Sequence, residues 1–393
     1  MEKQAYILAA TRTGTGGFLG SLSSFTAPQL AAETIKDAVS KAGIQLSDID
    51  EVILGNVLSA NIGQAPARQA ARLAGIPDET DATTINKICA SGLKSVSYAV
   101  QSILSGDSEV VLAGGMESMS NAPYYLENHR NGHKTGNHNL IDGMVKDGLW
   151  DPYHNFHMGS AAELANKKYQ ITREEQDEYT LKTFSKAQQA HASGSFANEI
   201  TPITVQTKKG AFVYATDEDI EKLNPEKLGQ LKPIFEADGS ITAANASNLN
   251  DGAAALIIVS GAFLEKHNLK PLARIVAFSD AAQAPEWFTT SPAIAIEKTL
   301  QKAGVSVNEI DYFELNEAYA NVPIINARLA GMDLEKVNIR GGAVAIGHPL
   351  GASGARILVT LAHILKDKQA KYGIAAICNG GGGATAMLIE NLK

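Results

Sequence analysis

The chain has 393 residues, 45% of them hydrophobic and 19% charged, which suits a soluble globular protein with sizeable cores in two or three compact units. A formal net charge of -8 argues against non-specific nucleic-acid binding, and no stretch approaches the ~20 apolar residues of a membrane span. Two cysteines, Cys89 and Cys378, fit a reducing compartment better than a disulfide framework. The N-terminus, with Glu2 and an apolar run of only Ala5 to Ala10, is neither a secretory signal nor an Arg-rich transit peptide, so a cytoplasmic enzyme is the first expectation.

Along the chain, Tyr6 to Ala10, Val52 to Leu54 and Val110 to Ala113 read as buried strands, separated by helical patterns at Ala27 to Ala42 and Ala65 to Ala74. This is an α/β rhythm. GTGGFLG at 14 to 20 invites a dinucleotide reading, but Leu19 stands where the third glycine belongs and no helix is predicted to open there. From about Asn121 to Ala243 the texture changes, first to the polar run NHRNGHKTGNHN and then to a helix after Thr172, whose capping box with Glu175 opens it and which ends near Gly194. After Ala243 the α/β texture returns.

The two ends of the chain resemble each other. AGIQLSDIDEVILGNV at 42 to 57 aligns without gaps to AGVSVNEIDYFELNEA at 303 to 318, and in each copy a Gly-rich turn, a helical pattern and a buried strand ending in glycines follow. Two homologous α/β halves are expected, residues 1–120 with 250–270 and residues 271–393, with 121–249 inserted into the first.

The copies differ where chemistry is possible. Cys89, in NKICASGLK, precedes a helix, and a thiol at a helix N-terminus meets the positive end of the macrodipole, which favours thiolate. His348, in GGAVAIGHPLGASGAR, stands at the equivalent turn of the second half and is the residue type to accept a thiol proton near neutral pH. Cys378 opens CNGGGG. A free cysteine is often only a small core residue, but four glycines after it pack almost nothing and suggest close approach of backbone or ligand.

NKICASG around Cys89, GGMESMSNAP at 114 to 123, NEAYA at 316 to 320, GGAVAIGHPLGASGAR at 341 to 356 and CNGGGG at 378 to 383 together resemble the thiolases, over essentially the whole chain. The triplet His157-Met158-Gly159 and the TAANAS-LNDGAAA run around Ser247 are most similar to the short-chain acetoacetyl-CoA thiolases. The resemblance implies the thiolase fold, two α/β halves in five alternating layers of helices and mixed sheets. It implies reversible condensation of two acetyl-CoA to acetoacetyl-CoA and CoA, with no cofactor, coenzyme A being substrate and product. Cys89 would carry the acetyl group, His348 would take its proton, and Cys378 would act as base on the second substrate. Asn316, through a held water, and His348 would serve one thioester oxygen, and the backbone N-H groups of Cys89 and Gly380 the other. Ser247 would contact the pantetheine arm, with His157, Met158 and Tyr319 lining the acyl pocket. Tyr319 replaces the Phe of many relatives.

Potassium-activated relatives bind the ion through carbonyls at positions matching Ala243, Ala244, Ala246 and Val344 and a Tyr hydroxyl. Here Phe184 occupies the Tyr position, which argues against the site. The resemblance also implies a homotetramer, with Asn128 to Asn139 as its tetramerisation loop. Three alternatives are a broad-range degradative 3-ketoacyl-CoA thiolase, a non-catalytic acyl-CoA-binding relative and a thiol redox protein. The triplet argues against the first and the retained reactive residues against the second.

Overall fold

The computed structural model describes residues 4–392, so Glu2 and the other terminal positions lie outside the described residues. Strand β1 (Ala5–Thr13) leads to helix α1 (Ala27–Ala42), which opens with Thr26 N-H donating to Gln29 Oε1 and closes at Gly43, φ 68°. Then come β2 (Glu51–Gly55), α2 (Pro66–Ala74), β3 (Asp81–Ile85), α3 (Ser91–Ser105), β4 (Val110–Ser118) and, after the insertion, β5 (Asn250–Ser260). The insertion carries α4 (Met158–Tyr169) and α5 (Arg173–Ala192), the latter started by the predicted Thr172–Glu175 capping box.

The second half repeats the first: β6 (Ala273–Ala282), α6 (Ser291–Ala303) closed at Gly304 with φ 66°, β7 (Tyr312–Leu315), α7 (Asn321–Ala330), α8 (Leu350–Asp367), β8 (Tyr372–Asn379) and β9 (Gly383–Glu390). Strand order is β3-β2-β4-β5-β1 in the first half and β7-β8-β9-β6 in the second, with a parallel bridge from Phe313 to Val337 where the counterpart of β3 belongs. Strand senses match, and so does a register shift in the first strand of each half, between Ile7 and Ala9 and between Ile275 and Ala277. The half-sheets are not separate, because β1 and β6 pair antiparallel from Ala5–Ile275 to Ile7–Ala273 and join them into one eleven-stranded sheet.

Five layers nonetheless follow from the cores. Helices α1 and α2 cover the outer face of the first half-sheet, α6 and α7 that of the second, and α3 with α8 fill the centre. Helix α8 is buried on every side from Leu350 to Leu365, as a helix with sheet on both sides must be. Its contact with α3 is made by glycines: a Cβ on Gly92 would lie 2.9 Å from the Gly351 carbonyl oxygen, and one on Gly354 would lie 2.5 Å from Leu93 N. Gly92 and Gly351 hold the second position of their helices. Equivalent residues in contact place a pseudo-twofold axis between the helices.

The insertion is anchored by buried charge. Arg12 of β1 donates to Glu199 at 2.7 Å and to Asp217 at 2.7 and 3.0 Å, and Ile200–Thr201 adds a short parallel strand to β1, so the insertion also contributes to the main sheet. The glycine run at 14 to 20 opens no α-helix. Its amides are taken by the protein's own carboxylates, Thr15 N by Asp217 and Gly17 N by Glu218.

Candidate active site

Cys89 and His348 each stand two residues before the first residue of a central helix, α3 and α8. The pseudo-twofold contact three residues further on therefore brings their turns to one place. Both side chains are buried. Burial pushes the Cys89 thiol up to about 12, against the opposing effect of the backbone N-H groups of Gly380 and of Cys89 itself. The helix N-terminus expected to yield a thiolate is thus overruled by desolvation in the resting protein. Burial, reinforced by the charge of Arg356, lowers His348 to about 3, so its imidazole is neutral and able to accept a proton.

Which ring nitrogen accepts is set by Ser353. Its hydroxyl donates to the Pro349 carbonyl at 2.9 Å and so accepts from His348 Nδ1, 2.6 Å away, leaving Nε2 as the free base. Asn316 Nδ2 lies 3.4 Å from that Nε2, while Asn316 Oδ1 is buried with no partner among the described residues. The His348 N-H donates to Asn250 Oδ1, fixing the turn to β5.

Cys378, next to last in β8 and opposite Ala384 of β9, is wholly buried, and burial together with the nearby Cys89 raises its thiol above the ordinary range. The glycines that follow do different work. Gly381 and Gly382 have φ of 85° and 84°, which the hairpin turn demands, and a Cβ on Gly382 would lie 2.2 Å from the Gln283 carbonyl oxygen. Gly383 is pressed against the Asn379 side chain. Only Gly380 has neither constraint: its Cβ would make ordinary contacts with Ile88 at 3.7 Å and with Met158 at 3.8 Å.

The predicted pocket residues converge on this place. Met158, Tyr319 and Cys378 share one apolar cluster with Ala246, Ala318 and Phe288. His157 stacks on Phe235 at 4.6 Å, and Phe235 meets Tyr319 edge-on at 5.9 Å. Gly159 completes the triplet because a Cβ there would strike the Phe235 ring at 2.2 Å. Ser247 is tied to the loop after β7 by its N-H to the Ala318 carbonyl. Glu317 is spent on structure, accepting from Tyr179, Thr183, Asn338 and Val344 N.

Residues missed in the sequence also belong here. Glu117, within GGMES, accepts from Asn56 Nδ2, Val57 N, Leu58 N and Gly351 N, tying the start of α8 to the first half, and burial raises it to about 7. Ser353 and Phe235 had no local signal. Phe184 shares a core cluster with Val344 and offers no hydroxyl, so the residues do not fit the potassium site and no step is routed through it.

A neutral imidazole and a thiol at matching helix starts, with a second thiol near the first, are suited to covalent acyl transfer. Residues 5–262 match the thiolase N-terminal domain and residues 269–391 the thiolase C-terminal domain. The chain belongs to the thiolase family. It is 50% identical over 390 residues to the cytosolic acetyl-CoA acetyltransferase of Gibberella zeae, covering 99% of this chain and 98% of that protein. It is 51% identical over 389 residues to acetyl-CoA acetyltransferase 2 of Arabidopsis thaliana, covering 98% and 96%. Among solved structures, the Acat5 thiolase of Ascaris suum in complex with coenzyme A superposes with a TM-score of 0.95 at 41% identity, over 99% of this chain and all of that one. Human mitochondrial 3-ketoacyl-CoA thiolase superposes with a TM-score of 0.96 at 39% identity, over 99% of each.

Proposed function

We propose that the protein is an acetyl-CoA C-acetyltransferase that joins two acetyl-CoA into acetoacetyl-CoA and CoA, reversibly, through an acetyl group on Cys89. The observation that carries this reading is that Gly380 lies against Ile88, the residue before Cys89, with its Cβ position 3.7 Å from the Ile88 side chain, so that the Cys378 hairpin abuts the nucleophile turn. Cys89 attacks the first thioester as His348 Nε2 takes its proton, and the departing CoA sulfur takes the proton of Cys378. The Cys378 thiolate so formed is strongly basic, which suits it to remove the weakly acidic α-proton of the second acetyl-CoA. The carbanion attacks the acetyl group, and Cys89 leaves and recovers its proton from His348.

The N-H groups of Cys89 and Gly380 would hold the acetyl oxygen, and Asn316 with His348 the thioester oxygen of the second substrate. Ser247 would meet the pantetheine arm. Met158, Tyr319 and His157, the last through Phe235, would close the pocket around a two-carbon acyl group, which favours this reading over a long-chain 3-ketoacyl-CoA thiolase. Coenzyme A is substrate and product, and no cofactor is invoked.

The division at 1–120 with 250–270, 121–249 and 271–393 belongs to this proposal, as do a cytoplasmic location and a homotetramer built through Asn128 to Asn139, a segment exposed in the structure. Among the described residues no helix is long and apolar enough to cross a membrane. Mass spectrometry after mixing with acetyl-CoA tests the core of the reading: one acetyl group on Cys89 is expected, and acetyl on Cys378 alone, or none, rejects it.

A further inference from the structure

A carboxylate of the second half holds two lysines of the first. Asp280 lies on β6, directly across from Thr385 of β9. Lys87 Nζ donates to Asp280 Oδ1 at 2.5 Å, to Thr385 Oγ1 at 2.8 Å and to the Ala384 carbonyl at 3.3 Å, which uses all three of its hydrogens. Lys94 Nζ, in the first turn of α3, donates to Asp280 Oδ2 at 2.6 Å, and Thr385 Oγ1 donates to Oδ1 at 2.7 Å.

The place of this cluster in the chain matters more than its charge. Lys87 is two residues before Cys89, and its backbone is part of the same turn, with Lys87 N donating to Ser91 Oγ and Ala90 N donating to the Lys87 carbonyl. Ala384 is the cross-strand partner of Cys378, and Thr385 that of Ile377. One side chain thus grips the backbone beside both thiols, and Asp280 holds that side chain in position. Asp280 is partly exposed, and ion pairs of that kind contribute little to stability, so its effect should be read in geometry.

We propose that Asp280 is a positioning residue that sets the Cys89 turn against the Cys378 hairpin, so that the step needing both thiols depends on it and the step needing one does not. This rests on the two-thiol reading given above. Acetylation uses Cys89 and His348, whose mutual placement is fixed by the α3–α8 contact. Carbon-carbon bond formation also requires the carbanion made at Cys378 to reach the acetyl group on Cys89, and small misplacements at such a step are expensive in rate.

The test compares single-turnover acetylation of Cys89 with condensation in the full-length Asp280→Asn, Asp280→Glu and Cys378→Ala variants, using acetyl-CoA. Asp280→Asn should acetylate within about twofold of the parent and condense about tenfold more slowly, with Asp280→Glu recovering most of the loss. Equal losses in both steps, or unchanged condensation, overturn the positioning role. If Asp280→Asn does not fold, Lys87→Met carries the same expectation and the same reversal. Cys378→Ala separates the two ideas: if it condenses normally, the two-thiol reading falls and takes this one with it. If it is blocked while Asp280→Asn condenses at the parent rate, the positioning role alone falls.

Discussion

The hydroxyl of Ser353 lies 2.6 Å from Nδ1 of His348 and donates its own hydrogen to the Pro349 carbonyl, so the proton of the imidazole is held on Nδ1. Ser353→Ala should release the ring to the other tautomer and slow acetylation of Cys89 roughly tenfold or more, while leaving a buried ring N-H unpaired at about 1–3 kcal/mol. Rapid-quench acetylation measures the first effect and denaturant unfolding the second. Replacement by threonine, which keeps the hydroxyl, should restore the rate, and an unchanged rate in the alanine variant would remove the serine from the mechanism.

The two cysteines should separate cleanly. Cys89→Ser loses the acetyl-enzyme, since a serine hydroxyl is far harder to ionise and burial already opposes a charged nucleophile there. Cys378→Ala keeps the acetyl-enzyme but condenses and thiolyses ~100- to 10,000-fold more slowly, the range of a general base. Intact-mass spectra after acetyl-CoA, alongside acetoacetyl-CoA formation, read both at once.

Gly380 and Gly382 are expected to fail differently. A Cβ at position 382 meets the Gln283 carbonyl in a backbone with φ 84°, so Gly382→Ala should lower stability by about 1–3 kcal/mol or more. Gly380→Ala meets only ordinary contacts, so its melting temperature should move by no more than about 2 °C while condensation falls, because the new methyl stands between Met158 and Ile88 at the pocket wall. Calorimetry and steady-state rates on the same preparations decide between the two outcomes.

His348 should remain an unprotonated base well below the usual histidine range, because burial holds it near 3. Side-chain NMR of the labelled protein should show no His348 protonation between pH 5 and 7. The sign for stability follows: with the folded value below the unfolded one, the contribution is full above about 6.5 and is lost as pH falls towards 3.

Asp280 gives an acid-range counterpart. Burial would raise its carboxyl, but hydrogen bonds from Lys87, Lys94 and Thr385 outweigh this and bring it to about 2 from 3.8. The folded value is depressed, so its contribution is present above 3.8 and lost as pH falls through 2. The stability gap between the parent and Asp280→Asn should therefore be small because Asp280 is partly exposed, constant above about pH 4 and closed below about pH 2, as followed by urea unfolding across that range.

Much of this arrangement was legible because the relevant signals are local. The capping box at Thr172, the helix after Cys89 and the matching turn at His348 are written in neighbouring residues, and the repeated AG…ID segment reappears as the same helix, left-handed glycine and strand in both halves. What was not legible depends on partners far away in sequence. The raising of the Cys89 thiol comes from burial rather than from its helix, the joining of the half-sheets from the meeting of β1 and β6, and the stacking of His157 from Phe235. The run of glycines after Cys378 looked uniform, yet the hairpin demands two of them, a neighbouring side chain a third, and Gly380 alone is under neither constraint.

The equivalence of Gly92 and Gly351 bears on why the two halves are one polypeptide. About that axis the position of Cys89 maps onto that of His348, so a symmetric pair of first halves would set two thiols face to face with no imidazole to take a proton. A symmetric pair of second halves would offer two imidazoles and no nucleophile at the helix starts. Only the mixed pairing carries both, and separate chains free to associate would also form the two inert pairings. Covalent fusion removes those pairings, and it leaves the turn between β4 and β5 free to lengthen into residues 119–249 while its counterpart between β8 and β9 stays a tight hairpin.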